Sequence, residues 1–282
     1  MTRVSLLVSA PSPLRAVLSH ARPADFASAA WVLALVLAVL LPALLTPFSP
    51  LVPAGAVLDA PSLTHPFGTD YLGRDLLSRV IFGTSRTLFG SAVAVTIGLG
   101  VGTVLGLIAA SFGGIIDAVI SRVVDVLLSI PGLLLSMVIV VALGFGTINA
   151  AIAVGVSSIA VFTRLMRSEV LTVKNLPFVE ASHHLGNTRW AVLHRHIFPN
   201  SFTAVLSLTA LQFGLSILWI SALSFLGYGS PPPQPEWGLL VSEGREYIVS
   251  SPWLVLLPGL VITVTVLSIS RLGHFATERL SS

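Results

Sequence analysis

The sequence predicts an all-α integral membrane protein, and three observations carry that prediction. Of 282 residues, 54% are hydrophobic and only 10% are charged, whereas a soluble domain of this size carries roughly a quarter charged residues. Mean hydropathy is +0.93. The apolar residues fall in runs near 20 long, the length needed to cross a hydrocarbon core of about 30 Å.

Six such runs follow one another: residues 26–45, 88–112, 126–143, 148–166, 202–226 and 253–269. Before them, residues 1–25 form a leader broken by Pro11, Pro13 and Pro23. Ala54-Gly55-Ala56 resembles a cleavage site behind the first run, but a signal peptide has a shorter apolar core and a shorter basic leader. Six spans place both termini on one side. Eleven of the fifteen Lys and Arg residues lie on that side, while the acidic residues divide six and six, a positive-inside bias that makes the termini cytoplasmic. The chain divides into the leader 1–25, a membrane domain 26–272 and a tail 273–282. Outer loops span 46–87 and 227–252, and a large inner loop spans 167–201.

Composition excludes several functions. There is no cysteine, hence no disulfide, thiolate metal site or thiol redox chemistry. The net charge is +3 without a basic tract, so nucleic acid is not an expected partner. The second, fifth and sixth spans hold no Asp, Glu, Lys, Arg or His, the groups a secondary transporter needs at membrane depth to bind its coupling ion. Uphill transport must be powered from elsewhere. The sole lysine, Lys174, stands between Val173 and Asn175, so no phosphate-binding P-loop is present. A passive channel or scaffold, or a metal-dependent membrane enzyme, are the competing classes. The enzyme is disfavoured because no span carries His and carboxylates at helical spacing.

The inner loop carries the densest signal. Glu180-Ala181-Ser182 opens a short helix that Gly186 can terminate with positive φ. Arg189 then precedes a second helical turn, and Pro199 leads into the fifth span. His183, His184, His194 and His196 crowd this loop. They read as solvated or partner-facing rather than as metal ligands, since only Glu180 could help complete a shell. In the second span Gly90, Ala94, Gly98, Gly102, Gly106 and Ala110 recur every four residues, a stripe that lets helices approach closely in lipid. Pro131-Gly132 should bend the third span. Ser129, Pro131, Gly132, Met137, Gln212, Ser216 and Trp219 are then candidates to line a pathway, while a static kink between packed helices accounts for the same residues.

Glu180-Ala181-Ser182, Gly186 and Ile197-Phe198-Pro199 together resemble the EAA loop of ATP-binding-cassette importer permeases, with Ser182 where that family usually has Ala. The run from His65 to Asp75, Ile130-Pro131-Gly132 and Trp237-Gly238 resemble the dipeptide, oligopeptide and nickel permeases, and within them the C-type subunit. The resemblance implies the type I importer permease fold in a bacterial inner membrane. It implies a homologous second permease, two cytoplasmic ATPases that bind ATP and Mg²⁺, and an external substrate-binding protein. It makes Glu180, Ala181, Ser182, Gly186, Arg189 and Pro199 the coupling residues and leaves this chain without a catalytic, metal or cofactor site of its own.

Overall fold

The computed structural model describes residues 22–280; residues 1–21 of the leader and 281–282 of the tail lie outside them. Arg22 opens the first helix, its N–H donating to the Asp25 carboxylate at 2.7 Å. Helix α1 (Pro23–Leu40) stops one residue before Pro42, and α2 (Pro42–Leu45) is a separate turn. The first apolar run therefore begins three residues earlier than its composition suggests and is broken near its outer end, because Pro42 has no N–H to continue the ladder.

Helix α3 (Leu76–Phe112) is 37 residues long, about 55 Å at 1.5 Å per residue. It starts twelve residues before the predicted second span, so the last part of the expected outer loop 46–87 is helical. Asp75 caps it, accepting from Ser78 N at 2.7 Å. Helix α4 (Gly114–Ser129) and α5 (Gly132–Leu143) follow, bent by 96° about Ile130-Pro131. The third apolar run, expected at 126–143, is thus an amphipathic helix turning into a short apolar one. Ile115, Val119, Val123 and Val126 of α4 are exposed, while Asp117 and Asp125 reach back to Arg167 and Arg164.

Helix α6 (Thr147–Lys174) is the most enclosed long helix. After the inner loop comes α9 (Phe198–Phe225), then α10 (Trp237–Gly244) in the second outer loop, and α11 (Trp253–Leu280). The last helix runs past the boundary drawn at residue 272. Asp25 of α1 pairs with Arg271 of α11 at 2.5 Å, and the Trp31 ring N–H donates to Thr265 at 3.0 Å. Among the described residues, five helices are long and apolar enough to cross a membrane, or six if the bent pair α4–α5 counts as one span.

The small-residue stripe of α3 is the centre of the bundle. All six members are buried, and they face α6. A Cβ on Gly98 would lie 2.8 Å from the Ser158 Cβ, and one on Gly106 would lie 2.6 Å from the Thr163 carbonyl oxygen. The approach is reciprocal, since a Cβ on Gly155 of α6 would meet the Ala94 carbonyl oxygen at 2.9 Å. Lipid tails are as apolar as the side chains, so this dispersion contact at short range holds the two helices together.

Candidate functional site

The inner loop folds as a helix–turn–helix between the two long helices α6 and α9. Asn175 ends α6, and α7 (Pro177–His184) begins with proline, whose missing N–H costs nothing in a first turn. Val179 and Ser182 are buried, one helical turn apart, and seat α7 on the bundle. Glu180 and Ala181 point outward, with Glu180 in the first turn where a carboxylate complements the helix dipole. Gly186 adopts φ +83°, the conformation its position predicts. Asn187 then turns back, its side-chain amide donating to the Ser182 Oγ at 3.1 Å and carbonyl at 3.2 Å. The hydroxyl that distinguishes Ser182 from alanine thus holds the turn closed.

Thr188 caps α8 (Arg189–Val192) by accepting from Ala191 N at 3.3 Å. The chain passes through a wider π turn, Leu193–Ile197, directly into α9. That widening answers Pro199, which in a regular helix would lack a bond and clash with the carbonyl four residues back. The second helix of the loop and the fifth span are consequently one continuous helical body, from Arg189 to Phe225, and the turn at 185–188 joins α7 to it. On α7 and the turn after it lie exposed apolar side chains, with Phe178 at 44% and Leu185 at 83%. Arg189 faces a different environment, a cavity shared with Lys174 and Trp190.

The pathway candidates separate into two groups. Ser129 and Pro131 are exposed at the bend, where the Ser129 hydroxyl donates to the Val126 carbonyl at 2.7 Å. Gly132, Met137 and Trp219 come together. A Cβ on Gly132 would lie 2.1 Å from the Trp219 ring, and Met137 and Trp219 pack on the cluster built from Val140, Ala150, Val154 and Ile220. Gln212 and Ser216 lie two turns and one turn before Trp219 on α9 and are buried, the Ser216 hydroxyl having no hydrogen-bond partner among the described residues.

A further constellation lies at the outer end, where the run from His65 to Asp75 meets Arg79 and Glu243, two residues the sequence did not connect to it. Asp70 accepts from the Leu72 and Arg74 amides, from Arg74 Nε at 2.7 Å and from Arg79 Nη1 at 2.6 Å. Arg79 also reaches Glu243 of α10 at 2.8 Å. The Tyr71 hydroxyl donates to Glu243 at 3.2 Å, and His65 bonds Asp75 at 2.8 Å. Arg79 is fully buried. Gly73, at φ +74°, lets the chain pass where a Cβ would lie 2.6 Å from the Gly55 carbonyl oxygen. Beside the cluster Glu236 caps α10 through the Gly238 and Leu239 amides. Burial pushes its carboxyl above the ordinary value, opposed by those amides and the Thr87 hydroxyl. Trp237, also buried, donates its ring N–H to the Val80 carbonyl at 3.0 Å. The sequence signals were the His65–Asp75 run and Trp237-Gly238, noted above for their resemblance; neither pointed to Arg79 or Glu243 as partners.

A multi-span bundle with close-packed central helices and an inner loop that bears exposed apolar side chains and whose second helix is continuous with a span defines a membrane-embedded transport subunit. The profile described as "Binding-protein-dependent transport system inner membrane component" matches residues 102–282, and the chain belongs to that family, as a permease subunit of an ATP-binding-cassette importer. It is similar to the glutathione transport system permease protein GsiD of Pectobacterium atrosepticum, 36% identical over 215 residues, covering 76% of this chain and 71% of that one. The protein of the same name from Escherichia coli O157:H7 is 40% identical over the same coverage.

Solved structures similar in fold include an amino acid ABC transporter with histidines (TM-score 0.59, 20% identity, 72% of this chain and 94% of that one). Another is the MetNI methionine ABC transporter in an inward-facing conformation (TM-score 0.60, 16% identity, 72% and 97%). The fold is the all-α, type I importer permease fold. ATPase and substrate-binding partners follow from the family, as does residence in a membrane that the chain crosses several times.

Proposed function

We propose that the chain forms one half of the path of an importer for short peptides or peptide-like solutes, with α7 as the lever through which separate ATPases act. A homologous permease supplies the other half, two ATPase subunits hold ATP and Mg²⁺, and a binding protein delivers substrate at the outer loops. The observation that carries this reading is the pair of exposed apolar side chains on α7 and the turn after it, Phe178 and Leu185, flanking Glu180 in sequence. Apolar side chains this exposed on a loop outside the membrane call for a protein partner, and the anchorage by Val179, Ser182 and Asn187 lets a push on α7 move α9 through the turn that joins them. The glutathione permeases at 36% and 40% identity support a peptide-like cargo. Nickel chelates and longer peptides are the other cargoes to test by screening ligands against the purified binding protein.

Coupling is tested by Gly186→Val and Glu180→Lys. Among the described residues no atom lies within 4 Å of a Cβ on Gly186, so valine meets no steric clash with them. It must hold positive φ at a cost of about 1–2 kcal/mol or leave it, and leaving it redirects α8. Glu180→Lys reverses the charge at the helix start. Both variants are expected to assemble with their partners, while ATP hydrolysis stimulated by loaded binding protein falls about tenfold together with uptake in reconstituted vesicles. Undiminished stimulation in both would remove α7 as the coupling element and favour a passive channel.

The orientation has its own test. Tags at Met1 and Ser282 are expected on the cytoplasmic side, and cysteines replacing Ser62 or Ser230 are expected to react with an impermeant reagent added outside. Labelling of Ser230→Cys only from the cytoplasmic side would overturn the topology.

A further inference from the structure

Where α3, α6 and α8 converge at their inner ends lies a cavity of about 560 Å³, within the ~300–1,000 Å³ range of small-molecule sites. Its wall is apolar, formed by Leu107 and Ile108 of α3, Val170 of α6, and Leu193 and Ile197 beyond α8. Its lining also carries two cations, Lys174 and Arg189. Both are exposed, and neither forms an ion pair with a described residue. The nearest acidic residue of α4 in sequence, Asp117, is already engaged by both guanidinium arms of Arg167. Ser111 also lines the cavity. Trp190, exposed in the lining, is an amphipathic aromatic group of the kind that marks the membrane–water boundary.

We propose that this cavity holds an anionic phospholipid of the cytoplasmic leaflet. An acyl chain lies against the Leu107, Ile108 and Ile197 wall, and the phosphate sits between Lys174 and Arg189. The charge arrangement selects this occupant. Two cations at the interfacial level of a cleft between helices match a lipid phosphate, and the apolar wall has no use for a free anion. The lipid would join the inner ends of α3 and α6 to the loop that carries α7. The inference rests on the orientation proposed above, which the tag experiment tests separately.

The test uses the complete importer in nanodiscs containing phosphatidylcholine and a trace of photoreactive phosphatidylglycerol or photoreactive phosphatidylcholine, with the same lipid in both leaflets. Phosphatidylglycerol is expected to label peptides spanning 107–112 and 189–197 about tenfold more than phosphatidylcholine does. In Lys174→Gln/Arg189→Gln that preference is expected to fall to about one. Labelling at these peptides that persists in millimolar inorganic phosphate supports the lipid, whereas competition by phosphate overturns it in favour of a soluble anion. Equal labelling by both lipids, or a preference unchanged in the double variant, also overturns the proposal. So does labelling seen only after the ATPases are stripped away, since a protein would then cover the cavity.

Discussion

Arg79→Met is expected to destabilise the permease by about 3–5 kcal/mol, the range for removing one member of a buried ion pair. Arg79 is fully buried and joins Asp70 at 2.6 Å to Glu243 at 2.8 Å. Without it Asp70 retains Arg74, but Glu243 keeps only the neutral Tyr71 hydroxyl at 3.2 Å and the distant Arg74 Nη2 at 3.9 Å among the described residues. A carboxylate is then left enclosed and poorly paired. The outer loop 46–75 and α10 lose the bridge between them, while the spans keep their packing. The measurement is thermal unfolding of the purified complex, with proteolysis of the outer loops as a local reporter. The double variant Arg79→Met/Glu243→Gln removes charge from both sides and is expected to recover a substantial part of the loss, a non-additivity that marks direct interaction. A single variant within about 1 kcal/mol of the parent would show that water reaches the cluster and that these charges act as surface groups.

The second large effect is expected at the small-residue stripe. A Cβ at Gly102 would lie 2.5 Å from the Phe162 Cβ, 2.8 Å from the Ile159 carbonyl oxygen and 3.0 Å from the Thr163 amide. Two of those three atoms are backbone, which no rotamer change can move aside. Gly102→Leu must therefore separate α3 from α6 and is expected to cost at least the upper end of the ~1–3 kcal/mol usual for overpacking. The yield of assembled complex should fall severalfold. Gly100→Leu is the matched control, because nothing lies within 4 Å of a Cβ there and leucine is the better helix former. Normal assembly of Gly102→Leu, or equal loss in both variants, would remove close packing as the role of the stripe.

Several features were legible because their cause is local. Apolar runs report the solvent directly, so the membrane bundle and most of its helices could be read from hydropathy. Gly186 was legible because positive φ selects glycine at a helix end, and the four-residue stripe because helical periodicity puts those positions on one face. Pro131 announced a bend but not its 96° angle, which depends on Trp219 of a distant helix occupying the space beside Gly132. The start of α3 was misplaced by twelve residues for a related reason. Leu76–Thr87 includes Arg79 and Arg86, which by hydropathy read as loop.

Sequence alone determined the solvent, the approximate spans, the close-packing stripe and the helix–glycine–helix pattern of the inner loop. Each follows from composition, periodicity or a single residue's backbone preference. Tertiary structure alone decided which charges are enclosed. Arg79 and Glu243 are 164 residues apart in the chain, and nothing near either one signals its partner. It also decided that Ser182 closes a turn with Asn187, that π widening makes loop and span continuous at Pro199, and that Arg189 meets Lys174 at a cavity. Such features depend on which surfaces meet once the helices pack, and the desolvation of a charge is a property of that enclosure rather than of the residue that carries it.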